Sequence, residues 1–230
     1  MAIRPIFIAT NNSKKYVNEV DIEFIWFAGM SKSQKQKSII SLHEASLKRK
    51  EELKFKNILE ISSKSEIELG VKLSAFNLEF NSPIIANKKT SVECIFQGSK
   101  VFQNGGPYTE IYSMSSLEAK KYIKLTTSGK LIYFKRKNEI WELEPKTLFY
   151  DWIYLNTLRS NKNLAKMILD YDAFSDIEFN PKKSINCQAA SVALFVSLSR
   201  NNLIDDVLKN KDTFIKFMKN QDNRNEEKLF

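Results

Sequence analysis

Apolar residues recur at helical spacing through most of the second half of this 230-residue chain, over 116–123, 147–159, 164–169, 187–198 and 203–219. At 3.6 residues per turn, that spacing gives each segment one apolar stripe to be buried. Strand signals are fewer and lie early. Val20-Asp21-Ile22-Glu23-Phe24 alternates apolar with acidic residues, Ile25-Trp26-Phe27 is wholly apolar, and Gly29 ends the run; 58–64 reads as a second short strand. Between them Ser31 or Ser33 can cap a helix whose Ile39, Ile40, Leu42, Ala45 and Leu47 form an apolar face, with Lys32, Lys35, Lys37, Lys48, Arg49 and Lys50 outside. The expected class is α+β: a helix-dominated domain with a few short strands, extended at its N-terminus.

A chain that is 43% hydrophobic supports one large core more readily than two. The expected division is an extension packing on that core over 1–55 (a strand plus the basic amphipathic helix), a main domain over 56–219, and a tail over 220–230 that frays or is disordered. Thirty-six Lys and Arg against 27 Asp and Glu give a net charge of +9, which favours polyanionic partners and is equally the mark of an ordinary basic surface. Two cysteines, Cys94 and Cys187, and one histidine, His43, supply neither a disulfide framework nor a usual zinc constellation, so no metal and no cofactor are expected. No apolar run approaches the roughly 20 residues that span a bilayer, and the N-terminal apolar stretch is too short for a leader. The expected setting is cytoplasmic, away from membranes.

Chemistry can be sought in three places. A helix over 92–102, capped by Ser91, puts Glu93, Gln97 and Lys100 at i, i+4 and i+7, within about 60° of one another, with Phe96 beside them. Lining a pocket, that stripe offers a carboxylate for acid–base work, an amide to orient a sugar or base, and a cation for an anion; facing water, it is merely a solvated surface. Gly105-Gly106-Pro107 breaks the chain beyond it. In 170–181 carboxylates alternate with aromatics, and Asp176 and Phe179 could serve a ribose and a base or belong to a plain connection with a buried Phe. Asn186 and Gln188 flank Cys187 at the head of an apolar helix, where helix-start amides could meet an anion or Ser184 or Asn186 could simply cap.

Read in order, these pieces resemble the NADAR (YbiA-like) family of N-glycosidases over roughly residues 70–200. Leu73-Ser74-Ala75-Phe76 is similar to the family's Leu/Phe-Ser-Asn-Phe entry motif. Val92-Glu93-Cys94-Ile95-Phe96-Gln97-Gly98-Ser99-Lys100-Val101-Phe102 resembles its Ser-Glu-His-Tyr-Phe-Gln-Ala-x-Lys-Phe segment. Ser115-Ser116-Leu117-Glu118-Ala119-Lys120 resembles Ser-Pro-x-x-Ala-Lys, and Asp176 to Asn180 with Ser184 to Ala189 follow the later Asp-x-x-Trp-Gly and Gly-x-Asn-x-Leu-Gly motifs more loosely. Ala75 stands where the family has Asn, Cys94 where it has His, and Phe179 where it has Trp. The wording of 33–39 and 179–189 is similar to the branch that accompanies DarT-type DNA ADP-ribosyltransferase toxins.

That resemblance implies an antitoxin that hydrolyses the N-glycosidic bond between ADP-ribose and guanine in DNA. Its catalytic residues would be Glu93, Lys100 and Asp176; Ser74, Phe76, Phe96, Gln97, Phe179 and Asn186 would bind substrate. The implied partners are ADP-ribosylated, single-stranded DNA and a cognate ADP-ribosyltransferase toxin. Lys100 would bind the diphosphate, tune Glu93 or attack an opened ribose as an amine. The competing expectations are a non-catalytic nucleic-acid- or toxin-binding antitoxin and an N-glycosidase acting on a small nucleotide.

Overall fold

The computed structural model describes residues 1–12, 15–81, 89–182 and 184–226. In chain order its elements are β1 (Ala2–Ala9), β2 (Val17–Phe24), α1 (Lys32–Leu47), α2 (Lys50–Leu53), β3 (Ile58–Glu60), α3 (Glu68–Lys72), β4 (Glu79–Asn81), β5 (Lys89–Ser91), α4 (Val92–Gly98) and β6 (Lys100–Phe102). There follow α5 (Ser116–Lys120), α6 (Lys124–Thr127), β7 (Leu131–Arg136), β8 (Glu139–Trp141), α7 (Leu148–Ser160), α8 (Lys162–Met167), β9 (Ala173–Ser175), α9 (Gln188–Arg200), α10 (Ile204–Val207) and α11 (Lys211–Glu226). Helix takes 46% of the chain and strand 19%, in small sheets, so the helix-dominated α+β class holds. No helix among the described residues is long and apolar enough to cross a membrane.

The chain divides into two compact units. The first, Met1–Ser74 with Asn163–Phe230, is built on a four-stranded sheet in the order β2-β1-β9-β3. The hairpin β1–β2 pairs Ala2 with Phe24 through Ala9 with Val17, β9 runs antiparallel to β1, and β3 runs parallel to β9. Residues 1–55 therefore share this sheet and its core with the returning C-terminal half. β1 escapes pattern reading because Pro5, Ile6, Phe7 and Ile8 are all buried, leaving a continuous apolar run where a half-exposed strand would alternate. Ser31 caps α1 by accepting the Gln34 amide, and Ile39 and Leu42 of α1 join Ile6, Ile8, Ile22 and Phe24 in one core. Each such side chain contributes roughly 1.5–3 kcal/mol by leaving water. The helix expected over 203–219 is two helices: α10 stops, and Asn210 Oδ1 accepts the Thr213 amide at 2.9 Å to start α11. α11 continues to Glu226, while the end of the expected tail, 227–230, lies outside the described residues.

The second unit, Ala75–Lys162, holds the two-stranded β4–β5, the meander β6-β7-β8 and helices α4 to α7. The hairpin β7–β8 interrupts a half expected to be almost wholly helical; its Leu131 to Phe134 run pairs back onto β6. Cys94, Phe102, Tyr108, Ile111 and Ala119 form one core cluster, and Phe96, Phe134, Phe149 and Trp141 form an aromatic one.

Candidate active site

Within the second unit, the start of α4 is the polar heart of an otherwise apolar region. Ser91 sits in extended backbone and its Oγ accepts the Cys94 amide at 3.1 Å, while the Ser116 hydroxyl meets Ser91 at 2.7 Å. This cap fixes the first turn, and the Glu93 amide donates to the Ala75 carbonyl at 2.9 Å. The turn so held presents Glu93 and, one turn later, Gln97, each only 8% exposed. Gln97 Nε2 donates to Glu93 Oε1 at 2.9 Å, which orients the amide and leaves Gln97 Oε1 buried without a hydrogen-bond partner. A buried amide oxygen left unmet costs about 1–3 kcal/mol, so this is where a ligand donor would be welcomed.

The helix ends before the expected Phe102. Gly98 packs so tightly that an added Cβ would lie 2.5 Å from the Tyr112 ring, and the Lys135 amide takes the Ser99 carbonyl at 2.7 Å, drawing the chain into β6. Lys100 is thus the first residue of a strand, not the third member of a helical stripe. Its ammonium nevertheless lies 4.8 Å from the Phe96 ring centroid. Burial pulls the Lys100 pKa down, against the opposing pull of the Glu93 carboxylate. Phe96 is half-buried, with Phe134 at 5.2 Å and Tyr150 edge-on at 5.4 Å. Phe76, also half-buried, lies under the Lys120 ammonium at 5.4 Å, and its carbonyl accepts from Ser116.

The remaining expected residues belong to the first unit. Ser74 is buried and its hydroxyl donates to the Val71 carbonyl at 2.9 Å. Phe179 is 9% exposed and packs edge-to-face on Phe7 at 6.3 Å, so much of its ring is already covered. Asn186 is half-buried ahead of α9, whose cap residue is Cys187 without a side-chain capping bond, so neither Ser184 nor Asn186 closes that helix. Asp176 is 8% exposed and accepts the Glu178 amide at 3.1 Å. Burial first, and then the negative charge of Glu60, push the Asp176 pKa well up. Glu60 itself accepts the Ile177 amide at 2.8 Å and the Ser175 hydroxyl, and His43 Nε2 meets Ser175 Oγ at 2.8 Å. Since the Ser175 proton goes to Glu60, His43 donates from Nε2 as a neutral ring.

The family model of the DarT1-associated NADAR antitoxins, NADAR-DarT1, matches residues 2–228. The chain belongs to this family. No curated protein matches it.

In this NADAR antitoxin the family's helix segment therefore gathers Glu93, Gln97, Phe96 and Lys100 in one unit, while Asp176, Phe179, Asn186 and Ser74 are held in the other. Among the described residues no three His, Cys, Asp or Glu side chains are grouped as a metal ion would need. Pattern reading missed Glu60, Ser175 and His43 as a buried polar group. The usable signal was Glu60 itself, a carboxylate inside the apolar run Ile58-Leu59-Glu60-Ile61, which can be buried only with partners. It also missed Arg136, which belongs to the unforeseen hairpin.

Proposed function

We propose that this NADAR antitoxin is a DNA ADP-ribosyl glycohydrolase that cleaves the N-glycosidic bond joining ADP-ribose to guanine in single-stranded DNA, and so reverses its DarT1 toxin. The observation that carries the reading is the Glu93–Gln97 pair: a buried carboxylate and an amide locked to it, with an unmet acceptor. Membership of a DarT1-associated antitoxin family and the +9 charge support it. Breaking this bond builds positive charge on the ribose and sends electrons to the base nitrogen. A carboxylate at Glu93 stabilises that charge and guides water, and Gln97 Oε1 accepts from a ribose hydroxyl or the base.

The downward pull on the Lys100 pKa is the direction an amine nucleophile needs, and its charged form suits an anion; Lys100→Arg keeps the second role and abolishes the first. Asp176, whose pKa is raised by burial and by Glu60, is proposed separately to help fix the ribose hydroxyls or water. The test is release of free ADP-ribose from guanine-ADP-ribosylated single-stranded DNA by wild type and by Glu93→Gln. Gln at 93 keeps an acceptor for Gln97, so the fold should survive while release is lost. Equal release by both would remove Glu93 from the reaction, and release by neither would leave a binding antitoxin or a small-nucleotide N-glycosidase.

A further inference from the structure

In the second unit, a groove of about 420 Å³ runs between the end of β7 and the face of α7, lined by Phe80, Arg136, Trp152, Asn156, Arg159 and Ser160 among others. That volume falls within the roughly 300–1,000 Å³ of small-ligand sites. Arg136 is its unusual member. The guanidinium stacks over the Phe80 ring at 5.4 Å, its Nε is buried without a hydrogen-bond partner, and it makes no ion pair or hydrogen bond with any described residue. Glu139 faces Arg136 across the hairpin, yet it and Tyr112 act on the cation only at a distance. The side chain is only partly exposed, and a buried guanidinium N–H without a partner carries a desolvation cost that a ligand oxygen entering the groove would relieve. Arg159, which donates to Asn156 Oδ1 at 3.3 Å, adds a second cation to the same walls. Two guanidiniums beside two aromatic faces match a phosphoryl group next to a base or sugar, since Arg pairs phosphate bidentately and aromatic faces take bases regardless of sequence.

We propose that this groove binds phosphoryl oxygens of the substrate, with Arg136 as principal ligand and Phe80 and Trp152 receiving the adjoining ring. The phosphate belongs either to the diphosphate of an ADP-ribosyl group or to the backbone of single-stranded DNA. The choice between these rests on the function proposed above; the phosphate site itself does not. Two probes separate the sources: ADP-ribose, and a short unmodified oligothymidylate. Binding of each is measured on the full chain for wild type, Arg136→Gln, Arg136→Lys and Asn156→Asp, and again in the Glu93→Gln background. Arg136→Gln should weaken one probe by about tenfold or more, Arg136→Lys should recover only part of the loss, and the carboxylate of Asn156→Asp should weaken the same probe. Loss confined to ADP-ribose assigns the diphosphate. Loss confined to the oligonucleotide, with a salt slope shallower by about one, assigns the backbone. The proposal is overturned if wild type binds neither probe, or if folded Arg136→Gln binds both as wild type does. Should Arg136→Gln fail to fold, unchanged binding by Asn156→Asp overturns it. Because binding is read in a background expected to lack turnover, failure of the glycohydrolase reading would leave this result standing, and the converse holds.

Discussion

Both units bury carboxylates, but they treat them differently. In the first unit Glu60 is met on both oxygens, Ser175 links it to His43, and Asp176 has the Glu178 amide. In the second, Glu93 and Gln97 satisfy one another and still leave a buried acceptor over. A closed network resembles fold stabilisation, whereas an open one resembles a socket awaiting a ligand. Burial alone does not separate the two, because Glu93 and Asp176 are equally exposed at 8%. The difference lies in what remains unpaired.

The sharpest way to break this comparison is to remove one carboxylate from each unit. Glu93→Gln should lower the rate of ADP-ribose release by about 10²–10⁴-fold, the usual worth of an acid–base group, with little change in the unfolding midpoint. Glu60→Ala should do the reverse: it strands the Ile177 amide and the Ser175 hydroxyl, and denaturant unfolding should show a loss of about 3 kcal/mol. If Glu60→Ala left stability unchanged, the closed network would not be holding the fold.

Proton linkage sharpens the contrast in the first unit. Burial lowers the His43 pKa from 6.5 to about 4, so the unfolded chain takes up a proton before the folded one does. This contribution to stability is complete above pH 6.5 and fades as pH falls toward 4. Since His43 is only half-buried at its surface, its worth is about 2 kcal/mol, below the full value of such a shift. Glu60 and Asp176 behave oppositely, because burial raises both pKa values and their contribution fades as pH rises. His43→Gln should therefore flatten the acid limb of a stability–pH curve between 6.5 and 4 and leave the alkaline limb alone; an unchanged acid limb would show that His43 titrates normally.

Much of the fold could be read from local signals. The Ser31 cap with the apolar spacing of Ile39 and Leu42 located α1, and Ser91 located the start of α4. What was illegible depended on distant partners. β1 hides its strand character because both faces are covered, and α4 stops at Gly98 because Tyr112 and Lys135 claim the next residues. For the candidate site, helical periodicity grouped Glu93, Gln97 and Lys100, yet Lys100 reaches Phe96 from a strand. Ser175 carries no pattern at all, since its partners come from residues 43 and 60.

The smallest effect is also the most diagnostic of an open socket. Gln97→Met removes the unmet oxygen and with it the donor to Glu93 Oε1, so a gain and a loss of similar size oppose each other. Methionine nearly matches the volume and adapts to irregular space, so packing adds little to the balance. Denaturant unfolding should place the variant within about 1 kcal/mol of wild type. ADP-ribose release should nonetheless fall by about tenfold, the cost of one lost substrate hydrogen bond. Had the same amide been a structural member of a closed network, stability would fall and the rate per folded molecule would stay. A large loss of stability with normal turnover would move the Glu93–Gln97 pair into the class of the Glu60 network.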